Sequence, residues 1–159
     1  MSQIVVLSGN PRPGSRTSVL ATAVGQALAA AGQGSAPTVI EVGELGTGLL
    51  TPGDEATAAA VQALRDAALL VVATPTYKGS YTGVLKVLLD QLPAGALAGK
   101  RAVPVVTAGV APQAAAAAAL LSQLLAELGA DVAPALPVVE ADLPDSTAIA
   151  EKYAAAQGG

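Results

Sequence analysis

Ile4-Val5-Val6-Leu7-Ser8-Gly9-Asn10-Pro11-Arg12-Pro13-Gly14-Ser15-Arg16-Thr17 is the stretch that decides the fold. Its first four residues are apolar and mostly β-branched, as in a short buried strand. The rest is polar, broken by Gly and Pro, and opens directly into an alanine- and valine-rich run that reads as a helix. A strand, a polar turn and a helix start form the local geometry that binds phosphate. Backbone N–H groups at a helix N-terminus lack intrahelical acceptors, and the helix dipole adds partial positive charge there. Ser8, Ser15 and Thr17 add hydroxyl donors, Asn10 adds an amide, and Arg12 and Arg16 add full charge. Gly9 and Gly14 permit backbone angles that a phosphate-wrapping loop often needs.

Spacing excludes two familiar alternatives. A Walker A loop needs Lys followed by Ser or Thr after its last Gly, whereas Gly14 is followed by Ser15-Arg16. A dinucleotide fingerprint needs Gly-x-Gly-x-x-Gly, and only Gly9 and Gly14 are present. What remains suits one terminal phosphate, as in a mononucleotide such as FMN. The same residues also suit an ordinary βα turn capped by Ser15 or Thr17.

Outward from this loop, apolar β-branched segments alternate with longer helix-like ones. Five strands are expected at Gln3–Leu7, Thr38–Val42, Leu69–Ala73, Ala102–Val106 and Val132–Val138. Continuous apolar runs fit a parallel sheet covered on both faces, and Pro134 and Pro137 make the last strand an edge. Helices are expected at Thr17–Ala31, Asp54–Ala67, Thr82–Leu92, Pro112–Leu128 and Ser146–Ala156. Asp54 and Ser146 suit caps, and Gly129 suits a helix C-terminus. Five βα units with short connections predict an α/β three-layer sandwich with a flavodoxin-like, five-stranded parallel sheet of order 2-1-3-4-5. Its ligand would lie beyond the carboxyl ends of the strands.

Two more loops would reach that end. After the third strand come Thr74-Pro75-Thr76-Tyr77-Lys78-Gly79-Ser80-Tyr81-Thr82-Gly83, which hold two of the chain's three aromatic residues, all Tyr. Tyr77 suits contact with a planar ring, while Tyr81 suits packing at a helix start. Pro75 fixes the backbone direction, and N–H groups around Thr76 can reach a ring's polar edge. Lys78 serves either as a solvated charge or as a contact for a nicotinamide cofactor's phosphate. The fourth strand ends in Val106-Thr107-Ala108-Gly109, small residues that allow close backbone approach, with Thr107 as a hydrogen-bond partner. A simple βα turn explains that loop equally well.

Composition narrows the chemistry. The 159 residues suit a single domain, 1–159, with a sizeable core. No apolar run approaches a membrane span, and the first residues are already strand-like, so a soluble cytoplasmic protein is expected. A formal charge of −4 without a basic cluster argues against nucleic acid or an anionic membrane as partner. There is no Cys, which removes disulfides and thiolate chemistry, and no His, which removes Ser-His-Asp hydrolysis and most zinc sites. No catalytic side chain and no metal are therefore expected; the reactive group would come with a cofactor. The alanine run at Ala114–Ala119 favours helix and leaves a thin, featureless face.

The three loops together resemble the NADPH-dependent FMN reductase family, flavodoxin-like enzymes that include the reductase partners of two-component sulfonate monooxygenases. Gly9 to Thr17 is similar to the family's Gly-Ser-Pro-Arg-x-x-Ser-x-Thr/Ser loop. Pro75 to Asp90 resembles its Pro-x-Tyr-Lys-x-x-Tyr-Ser-Gly-x-Leu-Lys-x-Leu-Leu-Asp segment, and Leu97-Ala98-Gly99-Lys100 also matches. The resemblance implies that Ser8, Arg12, Ser15 and Thr17 hold the FMN phosphate and that Pro75, Thr76, Tyr77 and Lys78 lie against the isoalloxazine. It departs in the third loop, where the family commonly reads Ala-Thr-Gly-Gly with a His soon after and this chain has Gln113 near that position. It departs again where flavin-shuttling members carry an inserted aromatic residue and this chain has Ala114–Ala119.

The expected function is hydride transfer from NAD(P)H to FMN and onward to free flavin, a quinone or another small acceptor. A flavodoxin-like electron carrier and a degenerate flavin-binding interaction protein are the alternatives. A monooxygenase partner is implied by the resemblance, as is a homodimer or homotetramer. The apolar residues Val84, Leu85, Val87, Leu88, Leu89 and Leu92 point the same way, because they circle more of a helix than one sheet face covers.

Overall fold

Strand β1 (Ile4–Ser8) is buried at all five positions and pairs in parallel with β2 (Thr38–Glu41) on one side and β3 (Leu69–Pro75) on the other. The computed structural model, which describes residues 3–157, continues the sheet through β4 (Arg101–Ala108) to two short strands, β5 (Asp131–Val132) and β6 (Leu136–Val139). The order is β2-β1-β3-β4-β5, with β6 also on β4, and every pairing is parallel. This is the expected flavodoxin-like arrangement.

Side-chain alternation along the strands builds two cores. Val5, Leu7, Leu70, Val72 and Val106 face α3 (Glu55–Asp66), α4 (Gly83–Leu89) and α5 (Ala111–Glu127), meeting Leu64, Leu85, Leu88, Leu121 and Leu125. Ile4, Val6, Val71, Val103 and Val105 face α1 (Arg16–Ala30) and α6 (Ser146–Gln157), meeting Leu20, Val24, Leu28 and Tyr153. Covering both faces is what allows the strands to be apolar throughout.

The structure corrects three boundaries and adds three short helical turns. The fifth strand is not the single run Val132–Val138: it breaks at Pro134, which has no N–H to continue the ladder, and resumes beside the carboxyl end of β4. The fourth helix is shorter than Thr82–Leu92; its cap is Thr82 and its C-cap Asp90. Ser146 begins α6 rather than capping it, and its hydroxyl donates to Leu143 O at 2.6 Å. A helical turn α2 (Val42–Leu45), the 3₁₀ turn Gly46–Leu50 and a second 3₁₀ turn, Glu140–Asp145, were not anticipated. Asp54 caps α3, accepting from Thr57 N at 2.9 Å, and Gly129 follows α5 with φ of 94°. No helix among the described residues is long and apolar enough to cross a membrane.

The carboxyl ends of β1, β3, β4 and β6 run one or two residues beyond their expected limits, whereas β2 ends at Glu41, one residue short of the expected Val42, which starts α2. Register therefore places Ser8 beside Glu41 and Ala73, and Pro75 beside Thr107, on one edge of the sheet.

Candidate functional site

The loops after β1 and β3 and the carboxyl end of β4 meet at that edge around a cavity of about 440 Å³. Asn10, Arg12, Gly14, Ser15, Arg16, Thr17, Pro75, Tyr77 and Thr107 line it, joined by Glu140 and Leu143 from the segment after β6. Its size falls in the range of small-molecule sites. A groove of about 520 Å³ between α1 and α6 is larger, but it is walled mainly by alanines, with few polar groups converging on it.

One half of the cavity is the start of α1. Ser15 caps the helix: its Oγ accepts from Ser18 N at 3.2 Å, and its carbonyl accepts from Val19 N at 3.0 Å. The N–H groups of Arg16 and Thr17 take no acceptor among the described residues, so this helix start keeps free donors. Arg12 and Arg16 are exposed at the same place. Asn10 shapes the turn, its Oδ1 accepting from Arg12 N at 2.9 Å while its Nδ2 donates to Thr17 Oγ1 at 3.5 Å. The glycines differ in purpose. Gly14 adopts φ of +70°, whereas Gly9 has ordinary φ and is needed for close approach: a β-carbon there would meet Leu85 Cβ at 2.9 Å and Ala73 O at 3.0 Å.

Behind the loop lies a hydroxyl network whose direction is set by Glu41. Ser18 Oγ donates to Glu41 Oε1, and Gly14 N donates to Glu41 Oε2 at 2.7 Å. With the single Ser18 proton committed, Ser8 donates to Ser18 Oγ at 2.6 Å and Ser15 does so at 3.1 Å. Ser8 is fully buried within this network, so it positions the loop and does not face the cavity.

The other half comes from the β3–α4 loop. Tyr77 and Ser80 exchange backbone hydrogen bonds at 2.9 and 3.2 Å across a tight turn through Lys78 (φ 52°) and Gly79 (φ 81°). That turn leaves Tyr77 46% exposed at the cavity wall, the most exposed aromatic face at the site. Thr82 ties the two halves: its Oγ1 donates to Gly9 O at 2.7 Å and accepts from Leu85 N at 3.2 Å. Thr107 joins the carboxyl end of β4 to both, with its Oγ1 3.1 Å from Thr17 Oγ1 and its carbonyl accepting from Thr76 Oγ1 at 2.9 Å.

Of the residues singled out in the sequence, Asn10, Arg12, Ser15, Arg16, Thr17, Pro75, Tyr77 and Thr107 line one cavity. Ser8, Thr76, Lys78, Ala108 and Gly109 do not. Thr76 is half-buried with its hydroxyl used internally, Ala108 is buried in β4, and Lys78 and Gly109 are exposed outside the cavity. Glu41, Ser18 and Glu140 were missed. The signal for Glu41 was its place at the end of the strand next to β1 in a 2-1-3 order; no motif marks Glu140.

The chain is 54% identical over 46 residues to an FMN reductase (NADPH) of Escherichia coli, a stretch covering 29% of this chain and 24% of the relative. It is 40% identical over 103 residues to the NADH-dependent FMN reductase SfnF of Pseudomonas fluorescens, covering 60% of this chain and 53% of the relative. The chain thus spans about half or less of the length of these relatives. A solved NADH:FMN oxidoreductase in its apo form superposes with a TM-score of 0.76 at 33% identity, covering 98% of this chain and 90% of that one. A family model of NADPH-dependent FMN reductases matches residues 2–142, which takes in all three loops, and the chain belongs to that family.

Proposed function

We propose that the chain is an NAD(P)H-dependent FMN reductase, residues 1–159 acting as one FMN-binding unit. The observation that carries this reading is the convergence in one cavity of free helix-start N–H groups, the Thr17 hydroxyl and two arginines, opposite an exposed Tyr ring. The donor set fits FMN at both ends. Arg12, Arg16, Thr17 and the α1 N-terminus hold the phosphate, and Pro75 and Tyr77 bound the ring system. Once bound, FMN supplies the hydride chemistry, accepting from NAD(P)H and passing reducing equivalents to free flavin, a quinone or another small acceptor.

The chain's own contribution is positioning. Thr82 and Thr107 lock the phosphate loop to the ring loop, so phosphate and ring are held at a fixed separation. The chain has no His, and hydride transfer to a bound flavin needs no protein nucleophile, so catalysis rests on alignment. A cytoplasmic setting and a monooxygenase that receives reduced flavin fit this activity. Self-association fits as well, though α4 offers less apolar surface than its sequence suggests. Leu85, Leu88, Leu89 and Leu92 are buried in the core, leaving Val84 and Val87 half-buried, Val87 in one groove with Leu50, which is 79% exposed. A homodimer or homotetramer through this face would sediment above monomer mass at micromolar concentration; a monomer there would reject it.

Arg12→Ala tests the reading most cleanly, because Arg12 is exposed and its side chain bonds nothing among the described residues. FMN affinity should fall by about 1–3 kcal/mol, the scale of a lost charge-assisted hydrogen bond, with riboflavin little affected. Ser15→Ala should instead cost about 1 kcal/mol of stability as a lost helix cap, with FMN and riboflavin affected alike. Equal losses for FMN and riboflavin in Arg12→Ala, or no NAD(P)H consumption with excess FMN, would refute the assignment.

A further inference from the structure

We propose that Glu140 is a resident competitor for the FMN phosphate, holding Arg16 until a phosphate takes its place and so limiting how much better FMN binds than riboflavin. This rests on the FMN reading above and concerns a residue to which that reading gives no role.

Glu140 opens the 3₁₀ turn after β6 and is the one acidic side chain among the residues lining the cavity. Its Oε2 lies 3.6 Å from Arg16 Nη2, so the pair spans the space between the phosphate loop and the β6 segment. The two side chains are 65% (Arg16) and 53% (Glu140) exposed, and an ion pair with that exposure is weak and opens readily. A phosphate monoester carries more charge than a carboxylate and offers three strong acceptor oxygens. At the start of α1 it would also receive backbone donors that Glu140 does not engage. It therefore wins Arg16.

Winning has a consequence. Glu140 is then left without its cation, on the wall of a cavity that holds a second anion, and their repulsion opposes binding. Riboflavin has no phosphate, displaces nothing and feels no such repulsion. The net side-chain charge of the cavity wall falls from two arginines to the equivalent of one because Glu140 is there.

The test measures dissociation constants of FMN and riboflavin by flavin fluorescence, on the full chain, at low and at physiological ionic strength. Glu140→Gln should tighten FMN by about three- to tenfold at low salt, with less gain as salt is added, and leave riboflavin unchanged. Glu140→Asp, which keeps the charge, should keep the FMN-to-riboflavin ratio near that of the parent chain. If Glu140→Gln leaves FMN affinity unchanged or weakens it, or tightens both flavins alike, the competitor role is wrong. Arg12→Ala in the same series reports on the phosphate seat alone. Where it selectively weakens FMN but Glu140→Gln fails, only this inference falls; where it has no selective effect, the seat and the inference fall together.

Discussion

Gly43→Ala should displace the phosphate loop although Gly43 itself does not line the cavity. Gly43 lies in α2, packed under the turn that carries Asn10 and Arg12. A β-carbon at this position would fall 2.2 Å from Pro11 O, 2.7 Å from Pro11 C and 3.1 Å from Asn10 O, all backbone atoms. An unstrained carbon–oxygen contact needs about 3.3 Å, so the two segments must separate by about 1 Å. Val42 is fully buried and anchors α2, whereas Pro11 and Arg12 are exposed, so the loop is the part that yields. Overpacking of this kind costs about 1–3 kcal/mol, which for a chain of this length lowers the melting temperature by roughly 3–10 °C. The shifted loop should also lose about 1–3 kcal/mol of FMN affinity, while riboflavin loses less. Thermal melts and flavin fluorescence titrations on the same preparations read both quantities. An unchanged melting temperature would refute the steric argument. A lowered one with unchanged FMN affinity would show that α2 moved instead and that the loop is not rigidly coupled to it.

Two further predictions follow from buried and exposed tyrosines. Tyr153 Oη donates to Pro134 O at 2.6 Å, and burial raises its phenol above the usual value of 10.0. A raised folded value means that the folded chain holds the proton more tightly, so this contribution is complete below the unfolded value and is lost as pH rises through the folded one. Tyr153→Phe should cost about 1 kcal/mol at neutral pH, and its urea midpoint should fall less steeply than the parent's in alkali; parallel curves would contradict this. At the cavity, Tyr77→Phe should keep most flavin-reduction activity and Tyr77→Ala should lose flavin affinity, with a rate nearly flat from about pH 6 to 8 by stopped flow. A bell-shaped profile, or a collapse in Tyr77→Phe with normal flavin binding, would show that a protein group moves a proton.

The parts of the site carried by contiguous sequence were legible in it. Ser15, Arg16 and Thr17 follow a strand and open a helix, so their shared direction is a local consequence of the turn. The β3–α4 loop was legible for the same reason, its Pro, Tyr and Gly chemistry marking a turn at the end of a buried strand. The burial of Ser8 was not legible, because period-two alternation says only that a strand end is polar. Whether its hydroxyl faces a ligand or a neighbouring helix depended on Ser18, ten residues away. The short elements α2 and Glu140–Asp145 escaped because a single turn of helix has too few residues to show a period.

Apolar runs, their spacing and the turn residues between them were sufficient to determine the order of the parallel sheet and the edge at which the singled-out loops gather. These are consequences of burying two sheet faces with right-handed crossovers, and local pattern carries that information. Only the tertiary structure decided which polar groups meet. Glu41 reaches Gly14 across 27 residues, Thr82 reaches Gly9 across 73, and Thr107 reaches Thr17 across 90. Glu140 likewise faces Arg16 only because β6 resumes the edge of the sheet after the break at Pro134. Hydrogen bonds and ion pairs between distant residues depend on ångström-scale register, which no periodicity in a single chain encodes.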